Sequence, residues 1–359
     1  MAVRINDVFN ARAVALNRTE VASNRTPFLG EGFFPNRKKV GLDISWIKSH
    51  KGLNAILAPS NFDAIPVLRT REGFKMENTQ MVFFRETMQV KEEDMMKLAM
   101  VEDATAGNAY VREVLDDIYD DTNKLLDAAE IAAEVMRMQL LATTAGTPKI
   151  SIGVKDNTIY TYNYDPDGSY LANHYLALTG NAKWTAPTTA TPLTDINNAK
   201  KYLASIGVNP KYALMTSKTF GYLASNDQVK AALVTITGRP FDFVDDNTVR
   251  EVFERMTGLT ILIYDKMYLN YAGVQTNFYP DDQVTIIGDG VLGRTWFGVT
   301  PEERTLMTNA NADIAMYDDR IACTVVTRPG PPVSTNTTVS QLCVPSYEGM
   351  DSTYVIKVN

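Results

Sequence analysis

Cysteine, histidine and long apolar runs are scarce in this sequence, and each shortage excludes a class of protein. Cys323 and Cys343 are the only cysteines in 359 residues, too few for a disulfide framework. We therefore expect a reducing compartment and two small core residues, with a bridge between them as the lesser alternative. His50 and His174, the only histidines, are far apart and share no ligand spacing with a cysteine, which disfavours a zinc site.

Membrane-spanning and strongly basic segments are also missing. No apolar run reaches the roughly 20 residues of a membrane span, and the opening residues lack the apolar core of a signal peptide. The chain has 35 Lys and Arg against 42 Asp and Glu, a formal net charge of −7. This balance argues against a protein whose main task is to grip nucleic acid. The short basic cluster Arg37, Lys38 and Lys39 is typical of a solvated surface.

The most regular stretch runs from Asn108 to about Ala142 and contains neither glycine nor proline. Its apolar residues recur every three or four positions, which predicts one amphipathic helix. They are Val111, Val114, Leu115, Ile118, Leu125, Leu126, Ala129, Ala132, Ala133, Met136 and Leu140. Charged residues between them, including Glu134 and Arg137, are assigned to the solvated face.

Such a helix would be about 50 Å long, more than one small core can wrap. We therefore predict a spine helix with one packed side and both ends reaching beyond the body. A long helix in an ordinary enzyme would show the same stripe. For a chain of 359 residues we expect two folding units, or one body with large excursions.

An irregular segment precedes this helix. Residues 1–50 are broken repeatedly by Asn, Gly and Pro, yet they contain Phe28, Phe33, Phe34 and Trp46. Such a segment is too apolar for a disordered tail. We expect an arm that buries these aromatic rings either on its own body or on a neighbouring copy.

A charged ribbon is predicted next. Residues 65–69 and 81–90 have strand-like composition, and a turn is expected at residues 71–73. Two strands alone are marginally stable in water. The ribbon must therefore lie on its own subunit or on the next one.

Beyond the spine helix, the sequence predicts a hairpin and then a compact α/β unit. The expected hairpin strands are residues 150–154 and 158–162, followed by a linker or loop at 163–193. Helices are expected at about 194–206, from 217, at 227–234 and at 247–256, with strands at 212–215, 259–264, 268–274 and 284–287. The last fifty residues return to strands, at 321–327, 339–344 and 354–358.

The segment Gly288 to Gly293 fits the dinucleotide fingerprint G-x-G-x-x-G and follows an apolar strand. That fingerprint requires its third glycine to open a helix, whose N-terminus receives the pyrophosphate. Here β-branched and aromatic residues, Gly298 and Pro301 follow, which favours a strand or loop. We interpret the segment as a glycine-rich turn.

Other catalytic and ligand-binding patterns are incomplete. The sequence has no phosphate-binding G-x-x-x-x-G-K-[ST] motif. Asp165 and Asp167, followed by Gly168, hint at calcium but lack the later positions of an EF-hand loop. We predict no catalytic residues, no cofactor and no metal, and therefore no enzyme.

The order of these elements resembles the major capsid protein of tailed bacteriophages, and more specifically the lambda-like family called major capsid protein E. The most telling match is residues 278–298, with a proline and acid, an apolar strand, a glycine turn and an aromatic–glycine pair. Residues 209–216, which precede a helix, are also similar, as is the tail from Ile321 through Pro329 to residues 354–358.

This resemblance implies an α+β, Hong-Kong-97-type phage capsid fold with five segments. They are an N-terminal arm (1–58), an extended loop (59–92), a peripheral domain (93–189) with the spine helix at 108–142, an axial domain (190–304), and returning peripheral-domain strands with the C-terminus (305–359). The extended loop is shorter than that of lambda's protein.

The resemblance also implies a function. The chain would self-assemble into the hexamers and pentamers of an icosahedral head, in the host cytoplasm, around double-stranded DNA bound without sequence specificity. Separate scaffolding, portal and possible decoration proteins would be its partners. Our hypothesis is that Arg69, Arg71, Glu72 and Lys75 contact a neighbouring subunit. An encapsulin-like compartment shell and a soluble nucleotide-binding enzyme are the alternatives.

Overall fold

The computed structural model describes residues 28–48, 75–90, 109–153, 159–237, 245–270, 272–308, 314–328 and 334–359. The spine helix, α2, spans Ala109–Ala142 in one unbroken run of 34 residues, which confirms the predicted helix. Among the helices in these ranges, none has the length and apolarity needed to cross a membrane.

The predicted apolar stripe is confirmed where side chains are described, since Leu125, Leu126, Ala133, Met136 and Leu140 are buried. The last turns differ from the prediction because Met138, Leu141 and Ala142 are buried as well. A helix that is apolar on all sides lies inside a core. The C-terminal end of α2 is therefore inserted into the body, and the prediction that both ends reach beyond it is wrong at this end.

The spine helix packs against a six-stranded sheet, where it contacts strands β4 (Val82–Val90) and β16 (Ser334–Ser346). The members of this sheet are β1 (Asn36–Lys39), β4 (Val82–Val90), β13 (Arg294–Gly298), β14 (Ile314–Tyr317), β15 (Ile321–Arg328) and β16 (Ser334–Ser346). Their order is β1-β13-β16-β15-β14, and β4 also pairs with the long strand β16. Only the β1–β13 pair is parallel.

A second, five-stranded sheet forms the α/β part of the molecule. Its strands are β7 (Tyr175–Ala177), β8 (Pro210–Met215), β9 (Thr260–Ile263), β12 (Gln283–Gly288) and β17 (Thr353–Lys357), in the order β7-β17-β12-β8-β9. Its helices are α4 (Pro192–Ser205), α5 (Ser217–Ser225), α6 (Asp227–Thr237) and α7 (Asp246–Thr257). Gly258 ends α7 in the left-handed conformation, with φ 68°, close to the predicted helix end at residue 256.

Three short two-stranded ribbons complete the strand inventory of the described ranges. They are β2 (Asp43–Lys48) with β3 (Lys75–Gln80), β5 (Lys149–Gly153) with β6 (Ile159–Asn163), and β10 (Met267–Leu269) with β11 (Gln275–Asn277). The β5–β6 pair confirms the predicted hairpin. The remaining helices are α1 (Leu29–Phe33), α3 (Ser169–Asn173) and α8 (Pro301–Thr308).

The charged ribbon is paired differently from the prediction. The strand at residues 81–90 exists as β4, but it lies antiparallel to β16 of its own body, with Phe84 opposite Gln341. The ribbon itself consists of β2 and β3, with Ile44 opposite Thr79. The predicted strand at 65–69 and turn at 71–73 lie outside the described residues.

The segment 163–193 is not a linker. It contains α3 and β7, and Tyr170, His174 and Trp184 are buried in it. The Asp165 carboxylate accepts hydrogen bonds from the backbone N–H groups of Tyr170 at 2.9 Å and Leu171 at 3.2 Å, so it is engaged by the first residues of α3. The polar composition was misleading because those residues make local turns between buried aromatic rings.

The C-terminal strand, β17, lies between β7 and β12 in the five-stranded sheet. The resemblance assigns residues 305–359 to returning peripheral-domain strands and the C-terminus. The division into arm, extended loop, peripheral and axial domains stays a proposal.

Candidate functional site

No catalytic arrangement is found in the described parts of the chain. They hold no group of three or more His, Cys, Asp or Glu side chains that could bind a metal ion. After Gly288–Gly293 the chain continues as strand β13 and not as a helix. A Cβ atom on Gly293 would lie 1.9 Å from the Ser346 carbonyl oxygen. This glycine thus permits close packing, and the nucleotide-binding alternative loses its structural basis.

The two cysteines confirm the prediction of small core residues. Cys323 and Cys343 are both buried, and neither forms a disulfide. Burial raises the pKa of the Cys343 thiol to about 12. Both side chains are therefore packing residues of the six-stranded sheet.

The most elaborate polar cluster joins the start of the described chain to the spine helix. We name residues 29–39, which comprise α1 and β1, the arm root. The backbone N–H of Gly30 donates to Glu134 Oε1 at 2.9 Å, and the Tyr264 hydroxyl donates to the same oxygen at 3.0 Å. Arg137 Nη1 donates to the other oxygen, Oε2, at 3.3 Å. Glu134 is thus the shared acceptor of three donors, from α1, from the spine helix itself and from the residue that follows β9.

Arg137 extends this cluster toward β1 and β13. Its Nε donates to Thr295 Oγ1 at 2.8 Å and its Nη2 to Asn36 Oδ1 at 2.5 Å. The Thr295 hydroxyl in turn donates to the backbone carbonyl of Phe34 at 3.0 Å. One guanidinium therefore ties the arm root to the sheet, with the fixed donor geometry that arginine provides.

Burial shapes the electrostatics of the cluster. Loss of solvation lowers the pKa of Arg137, and the Glu134 carboxylate opposes this shift. An arginine side chain keeps its charge in proteins, so a guanidinium cation lies beside Glu134. Burial, and secondarily the same carboxylate, raises the pKa of Tyr264. That hydroxyl keeps its proton and acts as a donor.

Close packing explains why residue 30 of the arm root is a glycine. A Cβ atom at Gly30 would lie 2.6 Å from Glu134 Oε2 and 2.9 Å from Arg137 Cβ. Only a residue without a side chain lets α1 approach the spine helix this closely. Gly32, in the same helix, has open space at its Cβ position, which makes it a natural comparison.

The aromatic rings of the arm root are buried on its own body. Phe33 packs edge-on against Tyr212 with ring centroids 5.9 Å apart, and Phe34 packs against Tyr347 at 5.5 Å. This resolves the predicted choice for these two residues in favour of the subunit itself. The chain preceding the ribbon is therefore anchored before the ribbon begins.

A second cluster lies at the base of the ribbon. Lys38 Nζ lies 2.5 Å from Glu303 Oε1 and 3.0 Å from Asp319 Oδ1. Arg85 forms an ion pair with Glu302. Partial burial opposes the charge of Lys38, but its hydrogen bonds to Glu303 and Asp319 raise its pKa overall.

Only one of the four residues predicted to contact a neighbour lies within the described residues. Arg69, Arg71 and Glu72 lie outside the described residues. Lys75 begins β3, where its backbone faces that of Lys48 across the ribbon. The structure therefore places one of the four on the ribbon.

The sequence interpretation missed the two central residues of the arm-root cluster. Glu134 and Arg137 were assigned to the solvated face of the spine helix, but both are buried. The available signal was the composition of the helix end, where Glu134, Arg137 and Gln139 are the only polar residues among positions 131–142. Charges inside such a stretch point toward a buried pair.

Comparison with known proteins agrees with this architecture. A family model described as phage major capsid protein E matches residues 13–320. No curated protein matches the chain.

Two solved structures are similar in fold. The protein assigned as the capsid protein of an Escherichia coli prophage is 13% identical, with a TM-score of 0.61 over 98% of this chain and 99% of that one. A phage-related protein from Bordetella bronchiseptica is 14% identical, with a TM-score of 0.58 over 97% and 96%. The predicted Hong-Kong-97-type fold is confirmed.

Proposed function

Because the chain belongs to the phage major capsid protein E family, we propose that its anchored arm root and projecting ribbon are the parts through which copies join. The chain is a structural subunit of a tailed-phage head, self-assembles into the shell and has no enzymatic role. The family membership favours this function over an enzyme-compartment shell.

The observation that carries the proposal is the contrast between the two ends of the ribbon. At its base, Ile44 is buried in the main core, and the Met81 N–H donates to the Leu42 carbonyl at 3.0 Å. Away from the base, β2 and β3 pair with each other and, within the described ranges, with no further strand. Two strands alone are marginally stable, so a neighbouring copy is expected to complete them.

We propose that Arg69, Arg71, Glu72 and Lys75 form ion pairs with that neighbour. Individual exposed ion pairs contribute little, but a closed shell repeats each contact many times, which adds avidity. A head-to-tail contact of this kind closes into rings. Hexameric and pentameric rings of an icosahedral head are the arrangement we propose.

Charge reversal at the ribbon tests this proposal. R69E/R71E subunits should remain folded and soluble but fail to form shells, because two attractive contacts become repulsive in every copy. R69K/R71K, which keeps both charges, is the matched control and should assemble. Electron microscopy and sedimentation of each variant give the answer, and normal shells from R69E/R71E would refute the proposed contacts.

Other partners follow from the family role. We propose a separate scaffolding protein, a portal and possible decoration proteins as partners, with double-stranded DNA packaged inside without sequence-specific contacts. The net charge of −7 supports a lumen that does not hold DNA tightly. Shells that form only on coexpression with a scaffolding protein would support the first of these partners.

A further inference from the structure

Two adjacent acidic residues hold both strands that lead to the ribbon. Lys38, on β1, precedes the start of β2 at Asp43 by five residues. Arg85, on β4, follows the end of β3 at Gln80 by five residues. Their partners are Glu303 and Glu302, in the first turn of α8. The first turn of α8 thus forms ion pairs with β1, which leads into the ribbon, and with β4, which follows it. Each ion pair lies five residues from the ribbon.

Each acidic residue is itself fixed to the body. Glu302 Oε2 accepts a hydrogen bond from Ser340 Oγ of β16 at 2.8 Å. The Glu303 N–H donates to Thr300 Oγ1 at 3.2 Å. Lys38 also reaches Asp319, just before β15. The two ion pairs are therefore fixed relative to the six-stranded sheet and not merely to each other.

The burial of Glu303 makes its ion pair with Lys38 costly to break. Its side chain is only 6% exposed, and its Oε2 atom accepts no hydrogen bond from any described residue. A buried carboxylate that loses its cationic partner is strongly unfavourable. The ion pair with Glu303 consequently holds Lys38, and with it β1, in a fixed position relative to α8.

The turn between the incoming strand and the ribbon would otherwise be a weak joint. Val40 and Leu42 are exposed, and Gly41 between them has φ +113°, a conformation that favours glycine. Six residues of β2 extend the ribbon by about 20 Å, so a 10° rotation at this joint displaces the far end by about 3 Å. Such a displacement is enough to break complementary contacts with a neighbour.

We propose that Glu302 and Glu303 are positioning residues that set the angle at which the ribbon leaves the body, and through it the curvature of the shell. This inference rests on the proposed function, in which the ribbon contacts a neighbouring copy. Without the clamp, subunits would still fold and associate, but ribbons would leave at varied angles and shells would lose a uniform diameter.

The test uses the Arg85–Glu302 pair, because Arg85 is nearly half exposed and its substitution leaves the core intact. R85E places two carboxylates together and should release the ribbon, whereas the swap R85E/E302R restores attraction with the signs exchanged. R85Q serves as a milder variant should R85E fail to fold. Circular dichroism melts establish that each unassembled subunit is folded.

Two readouts separate this inference from the proposed function. Spin labels at Lys48→Cys and Lys201→Cys report the ribbon angle in unassembled subunits, and electron microscopy reports shell diameters. R85E should broaden the label distance distribution and give mixed diameters, and the swap should recover both. Uniform shells from R85E, or a swap that recovers neither, would overturn the clamp. If the unsubstituted chain forms no shells even on coexpression with a scaffolding protein, the proposed function fails, while the label distances still test the clamp.

Discussion

Glu134 and Arg137 face each other within one turn of the spine helix, with Oε2 and Nη1 3.3 Å apart and both side chains almost completely excluded from solvent. A buried ion pair is favourable only when further hydrogen bonds satisfy both groups. Here those bonds come from Gly30 and Asn36 of the arm root and from Tyr264 and Thr295. The pair is therefore a socket in which the arm root is seated.

Removing one member of this pair should be costly. R137M leaves the Glu134 carboxylate buried without its cation, and we expect the free energy of unfolding to fall by about 3–5 kcal/mol. The double variant E134L/R137M, which removes both charges, should be less destabilised than R137M. Urea denaturation of the unassembled subunit measures these changes, with R255M on the exposed face of α7 as the control, expected within about 0.5 kcal/mol. A loss below about 1 kcal/mol for R137M would contradict the socket.

The two glycines of α1 offer a second, sterically matched test. G30A introduces a Cβ atom 2.6 Å from Glu134 Oε2, so we expect about 1–3 kcal/mol of destabilisation from overpacking. G32A meets nothing within 4 Å and should be neutral or slightly stabilising, because alanine favours a helix over glycine. Thermal melts compare the two variants, and limited proteolysis shows whether the arm root is released. Equal stability of both would mean that close approach at Gly30 is unimportant.

Local signals account for the elements that the sequence predicted correctly. The spine helix follows from its unbroken apolar spacing, and the end of α7 follows from Gly258. The errors arise where long-range packing decides. The partner of β3 is β2, on the far side of 26 intervening residues outside the described ranges, and no local pattern specifies such a pairing.

The same reason explains the errors at the site. Burial of Glu134 and Arg137 depends on partners supplied by α1, β1 and the segment at Tyr264, which are distant in sequence. A charged residue in a helix is normally solvated. Only the tertiary arrangement could reverse that expectation.

The buried thiols lead to a prediction about reactivity. Because the thiolate is the reactive species and burial raises the pKa of Cys343 to about 12, it should not react with a thiol reagent at pH 8 in the native subunit. Cys323 is equally buried and should behave likewise. Both should react after unfolding in urea, giving two equivalents. Stoichiometric labelling of the folded chain would contradict the core assignment.

Asp282 provides a prediction about pH. Partial burial by itself raises the pKa of this carboxyl, but hydrogen bonds from Tyr222, Lys218 and Asn359, together with the Lys218 charge, lower it below the usual 3.8. The Tyr222 hydroxyl donates to Oδ1 at 2.8 Å. A carboxyl whose folded-state pKa is lowered contributes stability above its unfolded pKa and loses that contribution as the pH falls through the folded value.

The substitution D282N removes this charge with little change in shape. Asp282 has φ +62°, a left-handed conformation that asparagine tolerates as well as aspartate does. Backbone strain is therefore the same in D282N and in the unsubstituted chain, whereas D282A would add strain. We expect D282N to have the lower melting temperature at pH 7 and the difference to shrink as the pH falls below about 3.8. Melting curves of the unassembled subunit across this range measure the effect. Parallel profiles at all pH values would show that the interactions of Asp282 do not depend on its ionisation, because only a charge-dependent contribution disappears on protonation.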